Sequence, residues 1–420
     1  MKIAIIGSGI AGLGAAHALA QAGRHDIAMF EAAPRAGGHV YTVAVGDVAV
    51  DMGFIVCNRE RYPLFFRLLG ELGTPTRPST MAFSVALPDR DLEWGSASLA
   101  AVFAQRRRLV DRGHWRFLVE VVRFLGRARR DLGHGRVHGS LEDYLAATGA
   151  SAELRDGFVV PLAAALWSLA PDHCGDFPAE TYVRFLDQHG MLRLVRPLAW
   201  HTVVGGSQRY VDALLARLAT TGRFTLALAT PVTAIERDAT GVTLGAAGRE
   251  HRFDRVVIAT HADTALELLA APTAVERRVL GAFRYSTNRT VLHTDRGFLP
   301  RSDAAHAAWN YVADPATAQV SVTYSMTRLQ GLPDVPYLVT LNPRHEPANI
   351  LHDVTFEHPQ LDSAALAAQS EVPRLAGTHR TYYAGSYLGF GFHEDALRSG
   401  YAAAARLAAD EHQPASVVSS

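Results

Sequence analysis

KIAIIGSGIAGLGAAHALAQAGRHDIAMFE, Lys2 to Glu31, sets three kinds of local structure in direct succession. Ile3 to Ile6 is a short apolar run suited to a strand buried on both faces. GSGIAG follows, and Gly7, Gly9 and Gly12 fit the spacing G-x-G-x-x-G. LGAAHALAQAG then reads as a helix that stops at Gly23, a residue able to close a helix C-terminus. IAMFE, Ile27 to Glu31, predicts a second strand that ends in an acid. The three glycines serve different physical needs, Gly7 a tight turn, Gly9 the close approach of a pyrophosphate, Gly12 contact between helix and strand. Glu31 lies nineteen residues past Gly12 and is placed to accept ribose hydroxyls. Strand, helix, strand and acid in register predict a βαβ dinucleotide site. Gly7, Ser8, Gly9, Ile10, Ala11, Gly12, Glu31 and Ala32 are its expected lining.

Composition narrows the rest. A chain of 420 residues is too long for one ordinary core, so two closely packed domains are expected. With 48% hydrophobic and 20% charged residues it falls among globular proteins, and zero net charge gives no field favouring nucleic acid. Lys2 is the single lysine, so no mechanism that needs a buried lysine is open to it. Cys57 and Cys174 follow no metal spacing, no metal site is expected, and the pair suggests a reducing compartment. No apolar run reaches the length of a membrane span. The glycines after Ile6 make the N-terminus a βα unit rather than a signal peptide, and a cytoplasmic location is the expectation.

Beyond Glu31 the sequence continues AAPRAGGHVYTV, with Gly37, Gly38 and His39 close behind the acid. Here the chain resembles the superfamily of FAD-binding amine oxidases and phytoene desaturases. In those proteins paired glycines and a basic residue pass beside the flavin phosphates, a position His39 takes here in place of the usual arginine. The resemblance implies FAD as cofactor. It also implies a Rossmann-like α/β FAD domain of the GR2/amine-oxidase type, built from residues 1–80, 200–275 and 370–412. An α+β substrate domain would comprise 81–199 and 276–369, with 413–420 a flexible tail.

The family pattern extends along the chain. DMGFIVCN, Asp51 to Asn58, resembles the segment under the flavin ring and implies contacts from Gly53 and Phe54. Val232 matches the valine at the adenine end, and Ala259-Thr260-His261 the step that skirts the cofactor. YYAGS, Tyr382 to Ser386, stands where A-G-[DE] is usual, so Gly385 and Ser386 are expected at the cofactor although Ser386 replaces an acid. The helix read as beginning near Glu394 would aim its N-terminus at the flavin pyrimidine, bringing His393 and Glu394 with it. A helix terminus there stabilises negative charge on a reduced flavin. Phe392 falls where amine oxidases place one aromatic of a substrate cage, and Tyr387, Phe390 and His393 could wall the ring; each also suits core packing.

Several phrases, among them WHTVVGGSQRYV, TYSMTRLQGL and GFHEDALRSG, resemble bacterial FAD-dependent oxidoreductases encoded beside cyclopropane-fatty-acid synthases. That resemblance implies an apolar, lipid- or acyl-type substrate oxidised or desaturated by hydride transfer to flavin N5. Three alternatives stand beside it: a redox-neutral double-bond isomerase, an amine oxidase, and a non-catalytic flavoprotein partner of a lipid methyltransferase. Related amine oxidases keep a lysine near N5, and Lys2 at the start of the first strand cannot fill that place. His39, His261 and His393 are candidate proton-transfer groups because imidazole titrates near neutrality, and Phe392 is grouped with them as the candidate cage residue. Trp309 and Tyr324, on expected strands, are candidate pocket walls.

Residues 81–200 lose the βαβ rhythm and read as amphipathic helices, while 285–340 alternates as strands do. Arg106 to Arg136 carries ten arginines against Asp111, Glu120 and Asp131, with Trp115, Phe117, Val121 and Phe124 interleaved. Such a basic amphipathic helix suits an anionic membrane surface or an acidic acyl carrier, or else a solvated face.

Overall fold

The structure is a computed structural model that describes residues 1–167, 171–193, 198–314, 320–333 and 335–411. A five-stranded parallel sheet forms one half. Its strands are β1 (Lys2–Ile6), β2 (Asp26–Phe30), β3 (Phe224–Ala227), β4 (Arg255–Ile258) and β5 (Thr381–Tyr383), in the order β3-β2-β1-β4-β5. Apolar side chains fill both faces of β1, with Ile3, Ala4 and Ile5 fully buried, as an all-parallel sheet requires. The chain runs to one side from β1 to β2 and later to the other side at β4. The C-terminal end of β1 is therefore a topological switch point, where such sheets bind ligands.

The helices α1 (Ile10–Gln21), α2 (Pro63–Leu72), α5 (Gln208–Ala219) and α6 (His393–Asp410) share a core with this sheet, whereas α3 (Arg112–Gly133) and α4 (Ala179–Gln188) pack in the core of the other half. Gly23, at φ +68°, follows the last turn of α1 in the left-handed conformation that ends helices. Helices α1 and α6 lie against each other across a contact so close that a Cβ on Gly400 would stand 2.1 Å from the Ala11 carbonyl oxygen.

The other half is a seven-stranded sheet in the order 350–360, 284–293, 338–341, 320–325, 309–313, 83–87, 92–95. The expectation of helices throughout 81–200 is corrected here: Phe83–Leu87 and Leu92–Gly95 are strands at one edge, the first parallel to Trp309–Ala313. FSVAL is buried at every position, and a short, wholly buried run has no alternation to reveal it as a strand. Val232–Arg237 pairs with Val242–Ala246 around the turn at Asp238, and Arg249–Phe253 adds a third strand. Cys57 and Cys174 are buried in the core and are not joined in a disulfide. Among the described residues no helix is long and apolar enough to cross a membrane. The expected tail 413–420 lies outside the described residues.

Candidate functional site

The turn after β1 shows why only glycine fits. Gly7 holds φ +97° while its N–H donates to the Phe30 carbonyl at 2.8 Å. A Cβ on Gly12 would stand 2.0 Å from the Gly7 carbonyl oxygen, so helix and turn touch through bare backbone. Gly9 differs: a Cβ there would meet nothing within 4 Å, although one on Gly38 would come within 3.1 Å of the Gly9 Cα. Gly37 and Gly9 form a parallel β-bridge, which sets the Gly37-Gly38 turn beside the glycine loop. The first turn of α1 has no side-chain cap and no acid, leaving its positive end uncompensated beside that open space. This is a backbone cradle for a pyrophosphate, and it fits the phosphates of a dinucleotide.

Glu31 sits at the end of β2. Its carboxylate accepts from Ser8 N–H (2.9 Å), Ser8 Oγ–H (2.6 Å) and Ala33 N–H (2.9 Å). A carboxylate has about four acceptor positions, so one remains for a ribose hydroxyl. Ala229 and Thr230 donate N–H bonds to Ala33 and Glu31, and this brings the half-buried Val232 to the same end. Ile10 and Ala11 point into the core and offer only backbone, while Ala32 is exposed. Ala259 and Thr260 lie against the Gly7 turn: a Cβ on Gly7 would stand 2.7 Å from the Ala259 oxygen. Gly385 donates its N–H to Ser399 Oγ on α6 at 2.9 Å, and Ser386 stays half-buried.

The ring end is built from rings. His393 opens α6, stacks on Phe54 with centroids 3.8 Å apart, and shares a 2.7 Å hydrogen bond between Nε2 and the Tyr210 hydroxyl. Gly53 lies so close to His39 that a Cβ there would be 2.0 Å from the His39 oxygen, and Phe54 N–H donates to that oxygen. His39 packs on Phe356 (5.1 Å), with His358 (5.4 Å) and His261 (6.2 Å) beside it. His261 stacks on Tyr285 and lies 3.4 Å from a Glu357 carboxylate oxygen. Burial drives the His393 pKa down to about 3, with a smaller push from His39. Burial likewise takes His39 to about 3, helped by His358 and His261. Both imidazoles are therefore neutral at physiological pH.

Two expected residues are engaged elsewhere. Glu394 gives both carboxylate oxygens to the N–H groups of Leu64 and Phe65 (3.0 Å each), closing the N-terminus of α2. Tyr387 leaves the expected wall; it is buried against Phe283 at 4.8 Å in the core under β4 and β5. Phe392 stacks on Phe185 of α4 (4.7 Å) and lies 5.5 Å from His189, with Phe390 at the edge of the same group. Trp309 and Tyr324 meet edge to face across paired strands, and Tyr324 donates to the Ala165 carbonyl at 3.4 Å. A cleft of about 620 Å³ and another of about 270 Å³ both reach Phe390, the smaller also touching Phe392 and His189.

The profile of the flavin-containing amine oxidoreductases matches residues 10–340. The chain belongs to that family. Solved structures share its fold at low identity. A CLA-producing fatty acid isomerase from P. acnes has a TM-score of 0.70 and 18% identity, over 95% of this chain and 96% of that one. Cyclohexylamine oxidase from Brevibacterium oxydans has a TM-score of 0.69 and 16% identity, over 98% and 99%. A putrescine oxidase with putrescine bound has a TM-score of 0.66 and 16% identity, over 97% and 99%. No curated protein matches the chain in sequence. This amine oxidoreductase family member is an FAD-dependent oxidoreductase, with the Rossmann-like FAD-binding fold that the glycine loop and parallel sheet display.

Residues that the sequence motifs do not single out also stand at this candidate site. Arg35 donates to the Gly38 and Val40 carbonyls (2.7 Å each) and lies over the Tyr41 ring, fixing the Gly37–Val40 turn. Asp51 is buried, and among the described residues no cation pairs with it. It accepts from Ser207 N–H and Oγ–H, Thr42 Oγ–H and the Gln330 amide, and so ties the Gly53-Phe54 segment to the start of α5. Burial still pushes its pKa up to about 6. Tyr210, Tyr285 and His358 join the ring end, and each is revealed only by tertiary pairing. The RYVDALL helix pattern is the one local sign that Tyr210 faces inward.

Proposed function

We propose that the protein desaturates an apolar, acyl-type substrate, a hydride leaving one carbon and a proton the next, the proton passing to a neutral imidazole of His39 or His393. FAD, held by the Gly7–Gly12 loop, Glu31, the Gly37-Gly38 turn and the start of α6, supplies the two-electron acceptor when bound. The observation that carries the reading is the mostly apolar, aromatic ring end: Phe54, Phe392, and His39 and His393 held neutral by burial, with the Glu357 carboxylate at its margin turned to His261. An ammonium substrate calls for a carboxylate to hold it and a base to take its proton. Asp51 and Glu394 are instead committed to the starts of α5 and α2. The single lysine begins β1, at the end opposite the site and about 16 Å away along a five-residue strand. A C–H bond beside a double bond needs chiefly position and a dry surface, which the stacked aromatics of α4 and residues 390–392 provide. Likeness to a fatty acid isomerase supports an acyl substrate and makes double-bond migration the second reading.

Anaerobic mixing of the flavin-loaded protein with unsaturated fatty acids and with primary amines tests this. Bleaching of the flavin band by the acyl substrates alone is expected. An acyl product without net bleaching would point to isomerisation, and bleaching by amines alone overturns the reading.

A further inference from the structure

Helix α3 has two faces. His114, Phe117, Phe124, Leu125 and Ala128 are buried in the core. The opposite face carries Arg112, Trp115, Arg116, Val119, Val122 and Arg123, spaced by three and four residues and so aligned in one stripe. Trp115, Val119 and Val122 are 48%, 45% and 48% exposed, and just ahead of the helix Leu109 and Val110 are 52% and 86% exposed. The Trp115 indole N–H donates to the Leu109 carbonyl at 2.9 Å, and its ring packs 5.0 Å from Phe103. These contacts make the apolar residues one fixed ridge. Singly exposed apolar residues are ordinary, but a contiguous patch marks a docking surface.

Charge says what covers it. Among the described residues no carboxylate pairs with Arg106, Arg112, Arg116 or Arg123, all of them exposed. The acids of this segment are occupied: Asp111 caps α3 and pairs with Arg108, Glu120 accepts from Ser151, and Asp131 pairs with Arg127. An apolar ridge flanked by unpaired arginines calls for a surface that is apolar inside and anionic at its rim.

We propose that this ridge seats the protein on an anionic lipid bilayer, with Leu109, Val110, Trp115, Val119 and Val122 entering the acyl boundary and the arginines meeting the headgroups. The ridge stands on an exposed helix face, and its residues line neither of the two clefts. A fluid bilayer closes around any protruding shape, whereas a protein partner needs a matching groove. A second copy docked through the same ridge would set two arginine stripes face to face.

Flavin-loaded protein is sedimented with vesicles of phosphatidylglycerol and phosphatidylcholine, and with phosphatidylcholine alone. Anionic vesicles should be preferred about tenfold or more, with the preference fading near roughly 0.5 M salt as screening shortens the reach of charge. Val110→Asp should weaken binding about tenfold, since it places a charge where an apolar group inserts. Arg116→Glu with Arg123→Glu should remove the salt-sensitive part, and retained flavin absorbance shows that each variant is folded. Equal binding to neutral vesicles overturns the proposal. So does absence of vesicle binding, whether the ridge then captures an acidic acyl carrier protein or joins two copies of the chain.

Discussion

His393 depends on one partner. Its ring is sandwiched against Phe54, edged by Phe65, and its Nε2 meets only the Tyr210 hydroxyl. Tyr210→Phe leaves that nitrogen buried without a partner, at a cost of about 1–3 kcal/mol. Urea unfolding should show the loss while the flavin stays bound; an unchanged midpoint would mean the bond contributes nothing. Neither residue announces the other in sequence, since 183 positions separate them. The same holds for His39, His261 and His358. The family motifs placed His39 and His261 near the cofactor, but the packing of His39 on Phe356 and of His261 on Tyr285 depends on the register of Ile350–Gln360 on Arg284–His293. Phe356 and His358, two apart on one strand, share a face by the pleat alone, but it is the register that brings that face to His39, and no local pattern states it.

Elements meet here through glycine contacts and one buried ion pair. Gly400→Val would drive side-chain atoms into the Ala11 carbonyl and separate α6 from α1. A loss of about 3 kcal/mol and release of flavin on gel filtration are expected. Gly126→Ala, on α3 where a Cβ meets nothing within 4 Å, should instead stabilise by about 0.5–1 kcal/mol. Opposite signs from two helical glycines would confirm that contact, not propensity, governs the first. The second device is Glu276. Burial alone would raise its pKa, but the paired Arg237 guanidinium and bonds from Thr273 N–H and Tyr383 O–H bring it to about 2. Glu276→Gln strands Arg237 in the interior and should destabilise by about 3 kcal/mol in a chemical melt. The βαβ unit of residues 2–31 was legible because turn, helix and acid lie within one short span. The strands at 83–87 and 92–95 were not, because burial on every side erases their period.

At the scale of the whole molecule, buried histidines set the acid response. His39 and His393 have folded pKa values of about 3, and His189, His293 and His358 of about 4, each depressed chiefly by burial. An exposed imidazole in the unfolded chain titrates near 6.5. Their contribution to stability is complete above that value and falls as pH drops toward 4. Asp51, raised to about 6, acts the other way, as do Glu394 and Asp395, because the folded state takes protons there first. Five such imidazoles outnumber the three raised carboxyls, so unfolding should take up protons on balance near pH 5 and the urea midpoint should fall between about pH 6.5 and 5. A flat profile would show these imidazoles to be wet. The packing of α6 on α1 has a further consequence for how the protein is made. Residues 10–21 wait at a ribosome for residues 393–410, and β5 emerges after every other described strand. Cofactor capture thus waits on a segment far along the chain from the glycine loop, and until that segment emerges the α1 face it covers stays open to solvent and to aggregation.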